Sequence, residues 1–403
     1  MSTRSGGAAA PSHVVVCPDA FKGSLTAAEA AAAIGQGVTA ARPDARVDRV
    51  PLADGGEGTL DVLAAAWGVD PSRARTTDAL GRPTDAAFGV TADRRLGVVE
   101  LAQASGLPGV ADVPRQPLLA TTRGTGTLLR GLLDEGVDEV LVCLGGSATT
   151  DGGSGVLRAL GARLLDASGR EVGDGGGALS DVAALDLDGL DPRARQVRWR
   201  LAVDVTNPLV GPRGAAAVFA PQKGARPSDV AFLDAALGRW AGVLAATTGT
   251  DVRDVPGAGA AGGVAGALHA VLGAELAPGA RLVAEAAGLP RLLDGADLVL
   301  TGEGSFDSQS LGGKVVGTVA ELAAAARPDG ARPDGVRPDG GRPAPPVVVL
   351  AGQVLLPAAR TAEAGIRAAF SIATGPSTFD ELAVHAPSRL TELAEHVARL
   401  TLR

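Results

Sequence analysis

The stretch HVVVCPDAFKGSLTAAEAAAAIGQGVTAA, residues 13–41, decides the reading of the fold. A short valine run stops at a turn built from Pro18, Asp19 and Gly23. An alanine-rich segment of helical period follows. The same alternation returns along the chain. RVDRV (46–50) leads into GTLDVLAAAW (58–67), and EVLVCLGG (139–146), DLVLTG (297–302), PVVVLAG (346–352) and AAFSIATG (368–375) come later. Glycine-bounded strands alternating with helices predict βαβ units and a mostly parallel sheet, an α/β fold. Such sheets bind ligands at the carboxyl ends of their strands. This sequence concentrates its polar and glycine residues there.

The middle of the chain reads differently. Residues 74–116 mix turns with one strand candidate, LGVVEL (96–101). Residues 168–227 are rich in Gly, Asp and Pro around VRWRLAV (197–203). With 403 residues the chain has length for two domains. The expected division is a discontinuous domain, 13–72 with 280–403, interrupted by an inserted α/β domain, 73–279. The segment RPDGARPDGVRPDGGRPAPP (327–346) repeats a five-residue unit three times. It reads as a solvated loop outside every motif, because Pro-Asp-Gly favours turns and proline removes ladder donors.

Bulk properties exclude several functions. The net charge of −8 argues against nucleic acid as a main partner. Apolar runs stay under ten residues, so no membrane span is expected. The opening MSTRSGGAAAPS lacks the apolar core of a signal peptide and reads as a leader of a cytoplasmic protein. Cys17 and Cys143 each lie inside a strand-like run and read as buried apolar residues. His13, His269, His385 and His396 are scattered, which disfavours a histidine triad or a zinc site.

Chemistry concentrates in a few clusters. PDAFKGS (18–24) places Asp19 and Lys22 at a strand end, with Ser24 or Thr26 able to cap the helix. PLADGGEGTLD (51–61) sets Asp54 and Glu57 before a helix, either as capping carboxylates or as Mg²⁺ ligands. LATTRGTGTLL (119–129) offers Arg123 to a carboxylate or phosphate. LGGSATTDGGSG (144–155), with Gly145, Gly146 and Ser147, is the densest cluster and suits an anion at a helix N-terminus. AVDVTNPLVG (202–211) supplies Asp204 and Asn207, and FAPQKGA (219–225) follows it. LVLTGEGSFDSQSLGGK (298–314) supplies Gly302, Glu303, Gly304, Asp307 and Lys314. It is no Walker loop, since Val315 follows the lysine. Lysines, an arginine, several aspartates and glycine loops without histidine fit phosphoryl transfer, which rests on positioning and charge neutralisation.

These clusters, together with VPGAGAAGGVAGAL (255–268), resemble in the same order the bacterial glycerate kinase family of glyoxylate and galactarate metabolism. The resemblance runs from about residue 13 to 400. It implies a flavodoxin-like domain with a smaller inserted α/β domain and an active site in the cleft between them. It also implies ATP-dependent phosphorylation of D-glycerate with Mg²⁺. The sequence departs from the family pattern at Ala20, where Ser is common, at Thr150, where Asn is common, and at Ser305, where Arg is frequent. On this reading Asp204 accepts the glycerate hydroxyl proton, and Lys22 and Lys314 neutralise phosphate charge. Asp54, Glu57 and Asp307 organise Mg²⁺. Arg123 and Ser147 bind substrate, with Gly145, Gly146, Asn207, Gly302 and Gly304 in the substrate and phosphate loops. Three questions stay open: whether the 2- or 3-hydroxyl is phosphorylated, whether the substrate is another small hydroxy acid, and whether the chain is a sugar-acid sensor without turnover. A homodimer is compatible with the sequence.

Overall fold

The structure, a computed structural model, describes residues 11–326 and 344–402. The RPDG repeat lies outside the described residues except for its last three, and so does most of the opening segment. The chain divides into two compact units, residues 1–53 with 284–403 and residues 54–283. Residues 54–72 and 280–283 thus belong to the second unit, not to the first as the sequence suggested. The reason is local. The helix Thr59–Trp67 buries Leu60 and Leu63, and the Leu60 N–H donates to Glu100 of the second unit (2.8 Å).

The first unit holds a five-stranded, all-parallel sheet. Across the sheet the strands run Arg46–Arg49, His13–Val16, Leu298–Thr301, Val347–Ala351 and Ile366–Ser371. Counted within this sheet, that order is 2-1-3-4-5, the flavodoxin-like order. The central strands are apolar on both faces, as a sheet covered by helices requires. Val14, Val16, Leu298, Leu300, Val348 and Leu350 form one core with Ile34 and Val38 of the helix Ala27–Ala41 and Leu390 of the helix Phe379–Thr401.

The first helix starts where its sequence dictates. Thr26 is the N-cap, and a capping box joins it to Glu29: the Glu29 N–H donates to Thr26 Oγ1 (3.2 Å) and the Thr26 N–H donates to Glu29 Oε2 (2.8 Å). Replacing Thr26 with alanine is expected to destabilise the protein by about 1 kcal/mol, read as a shifted urea midpoint at unchanged slope. An unchanged midpoint would mean that the box adds nothing to stability.

The second unit holds a six-stranded mixed sheet. Glu275–Ala277, Arg198–Ala202, Glu139–Cys143 and Leu96–Glu100 are parallel neighbours, and the antiparallel pair Pro83–Val90 and Ser72–Thr77 extends that edge. The hairpin was not legible in the sequence. SRARTT is polar and half exposed, and its only buried residue is Thr76. By length and composition alone, the helix Pro227–Thr248 is apolar enough to cross a membrane. It instead lays Leu233, Leu237, Trp240 and Leu244 into the core of this unit, and Trp240 Nε1 donates to the Gly152 carbonyl (2.9 Å).

Candidate active site

Within the second unit the loops after two adjacent parallel strands enclose a cavity of about 380 Å³. Gly145, Gly146 and Ser147 follow Glu139–Cys143, and Val203, Asp204 and Val205 follow Arg198–Ala202. All six line the cavity, with Gly55 and Gly56 on the same wall. Strand-end loops at a sheet edge are where this architecture binds ligands. Gly55 is required there. Its φ is +87°, and a Cβ would lie 2.7 Å from Ala202 Cβ and 2.9 Å from Gly279 Cα. Gly279 in turn orients the acid: its N–H donates to Asp204 Oδ1 (2.8 Å). Asp204 is an exposed residue, so the Gly279 N–H orients a carboxylate that solvent reaches.

Two further groups were not singled out from the sequence. Lys223 is fully enclosed in the same wall, donating to Ser147 Oγ (2.7 Å) and to the Thr149 carbonyl (2.6 Å). Burial pushes its ammonium down to about 7, against an opposing pull from the Asp151 charge. Asp151 is itself buried, and burial pushes its carboxyl upward against four hydrogen bonds. These come from the Thr122 N–H and hydroxyl (2.8 Å each) and from the Gly153 (3.1 Å) and Gly155 (3.2 Å) N–H groups. Asp151 thereby pins the TTRG loop to the start of the helix Ser154–Ala159. Asp151→Ala is expected to cost on the order of 3 kcal/mol, because three backbone donors lose their acceptor inside the core. A thermal melt that moves by less than about 2 °C would contradict this account of the loop.

The other expected residues of this unit are held elsewhere. Arg123 forks onto Asp174 through Nε (2.8 Å) and Nη2 (3.1 Å) and does not line the cavity. Asn207 Nδ2 donates to the Arg213 carbonyl (2.8 Å). Glu57 is exposed. Asp54 is not a helix cap: Gly58 occupies the cap position of Thr59–Trp67, while Asp54 Oδ1 accepts from the Gly56 N–H (3.1 Å).

In the first unit two loops meet at the carboxyl ends of neighbouring parallel strands, His13–Val16 and Leu298–Thr301. The Asp19 N–H donates to the Gly302 carbonyl (2.8 Å), and Thr301 Oγ1 donates to the Cys17 carbonyl (2.8 Å). Gly304 lies against the backbone of Phe21 and Lys22. Gly302 leaves no room for a side chain, since a Cβ would lie 1.9 Å from the Leu350 oxygen. The structure therefore brings the exposed Lys22 together with Gly302 and Gly304. Asp307 caps the short turn Ser308–Leu311, accepting from the Gln309 N–H (2.8 Å). Lys314 is the N-cap residue of the helix Val315–Ala325. Ser305 Oγ accepts from Gln353 Nε2 (3.1 Å).

Residues 14–402 match the glycerate kinase family. The chain belongs to the glycerate kinase family. This family member is 42% identical over 368 residues to the glycerate 2-kinase of Escherichia coli K12, covering 91% of this chain and 92% of the relative. It is 41% identical to the glycerate kinase of Bacillus subtilis 168, with 96% of each chain covered. A crystal structure from Salmonella typhimurium LT2, provisionally assigned as a glycerate kinase 2, superposes with a TM-score of 0.83 at 40% identity. The match covers 97% of this chain and 98% of that one. The family is one of kinases, and the mixed α/β architecture agrees with that structural neighbour. The sequence resemblance and the coordinates therefore lead to the same family.

Proposed function

We propose that the chain transfers the γ-phosphoryl group of ATP to the 2-hydroxyl of D-glycerate in the cytoplasm. The observation that carries this reading is the second-unit cavity, which is lined both by Asp204, held by the Gly279 N–H, and by the Gly145-Gly146-Ser147 loop. A small polar acid with a free hydroxyl suits such a space. Kinship with a protein named glycerate 2-kinase favours the 2-position.

In this mechanism the substrate hydroxyl oxygen attacks the γ-phosphorus while Asp204 takes the hydroxyl proton. The bond from the γ-phosphorus to the bridging oxygen breaks, and ADP leaves. Lys22 and Lys314 neutralise charge on the phosphate oxygens, and Gly302 and Gly304 let backbone approach them. Ser147 binds the acid. Arg123 and Asn207 would have to exchange Asp174 and the Arg213 carbonyl to join it.

Among the described residues no group of three or more His, Cys, Asp or Glu could hold a metal. A kinase Mg²⁺ does not need such a cage, because it binds through one or two carboxylates, waters and the substrate phosphates. Asp54 and Glu57 of the second unit carry the hard oxygen donors such an ion takes and are the residues proposed to hold it, with Asp307 as the candidate of the first unit. When bound, the ion supplies neutralisation of phosphate charge.

The reading is tested by ADP release from ATP with a panel of two- and three-carbon hydroxy acids. D-glycerate is expected to give the highest kcat/KM. A better substrate elsewhere in the panel would redirect the assignment, and binding without ADP release would favour a sensor.

A further inference from the structure

We propose that Lys223 is the seat of the substrate carboxylate, and that the pocket takes up a proton as the acid binds. The inference deepens the D-glycerate reading above and rests on it.

The geometry is built for one more anionic partner. Lys223 reaches the cavity from the short turn Pro221–Lys223, and it is only 2% exposed. An ammonium has three donors. Two are spent on Ser147 Oγ and the Thr149 carbonyl, both at hydrogen-bond distance, and neither acceptor carries a charge. Among the described residues no third acceptor engages Nζ. A buried cation held by neutral groups is costly unless an anion completes it. Asp204 lies on the same cavity lining. A 2-hydroxy acid carries a carboxylate and a neighbouring hydroxyl. It can place the first on Lys223 and the second on Asp204, so the two residues fix which end of the molecule is which.

The surrounding charges agree with a proton-linked seat. Asp151, from the loop before Ser154–Ala159, acts on Lys223 through its charge without appearing among its hydrogen-bond partners. Arg115 donates to the Gln222 carbonyl and packs beside Gly224, adding positive charge nearby. Arg226 is neutralised by Asp229 (3.1 Å). With its ammonium lowered to about 7, Lys223 is partly neutral at physiological pH in the free protein. A carboxylate beside it raises the pKa in the complex. The sign follows: the seat becomes fully charged as pH falls well below 7, so affinity for the acid is greatest there. Above pH 7 affinity falls, approaching tenfold per unit, until the pKa of the complex is reached.

The test is isothermal titration of the full-length protein with D-glycerate, without nucleotide, between pH 6 and 9 in buffers of different ionisation enthalpy. Wild type is expected to take up more than about half a proton per glycerate at pH 8. Lys223→Met is expected to bind D-glycerate at least about tenfold more weakly, to lose the pH dependence, and to keep its ATP affinity within about twofold. Wild-type binding with no proton uptake overturns the proposal, even if the variant fails to fold. Unchanged glycerate affinity in a folded variant also overturns it, as does a loss confined to ATP, which would make Lys223 a phosphate contact. In these cases D-glycerate turnover by wild type leaves the kinase reading standing. Absence of both binding and turnover would overturn both.

Discussion

Asp204→Asn is expected to lower kcat for D-glycerate by about 10²–10⁴-fold, with little change in KM or stability. Asparagine keeps the Oδ1 acceptor that Gly279 N–H uses, so the loop geometry is retained. What it loses is the ability to take a proton. The substitution therefore separates positioning from proton transfer. Steady-state kinetics would show the effect directly. A drop of less than about fivefold would mean that the hydroxyl proton leaves by another route and that Asp204 only positions substrate.

Lys314→Ala should lower turnover by on the order of a hundredfold or more. Its effect on stability has the opposite sign. Lys314 sits at the N-cap of the helix Val315–Ala325, with its carbonyl accepting from the Thr318 N–H (2.9 Å). The positive end of a helix dipole disfavours a cation by roughly 0.3–1 kcal/mol. Removing the ammonium should therefore leave stability unchanged or slightly raised. A residue whose loss harms catalysis while helping the fold is placed for an anionic ligand, because that helix end attracts phosphate. A variant with turnover within twofold of wild type would reduce Lys314 to an ordinary lysine at a helix start.

The first unit was the more legible part of the sequence. Its central strands are uninterrupted apolar runs such as VVVL, buried on both faces, and their turns carry glycine where no side chain fits, as at Gly302. The edge strand Arg46–Arg49 was readable only from its place in the alternation, since its own residues are mostly polar. In the second unit the hairpin Ser72–Thr77 with Pro83–Val90 escaped notice because its outer strand is polar and buries only Thr76. A polar, exposed edge strand looks like a turn region.

The candidate site was legible by loop and much less so by partner. Gly145, Gly146, Ser147 and Asp204 were each expected, and they share one cavity. Arg123 looked like a ligand arginine because nothing in its own motif reveals Asp174, 51 residues away, which holds it through two hydrogen bonds. Lys223 was missed for the opposite reason. A lone lysine in FAPQKGA reads as solvated, since lysines are rarely buried. The local signal was its setting: Phe219, Ala220 and Pro221 before it and Gly224 after it leave a short apolar turn that can tuck the side chain inward. Burial of that kind depends on Ser147 and Thr149, more than 70 residues away, and no local pattern encodes it.

The most direct measurement is proton-coupled phosphorus NMR of the product formed from ATP and D-glycerate. A phosphate ester on C2 has one hydrogen on its carbon and gives a doublet, whereas an ester on C3 has two and gives a triplet. The account predicts a doublet that grows in step with the ADP resonances. A triplet would contradict the assigned hydroxyl, and ATP that remains intact beside unmodified D-glycerate would contradict the kinase reading itself.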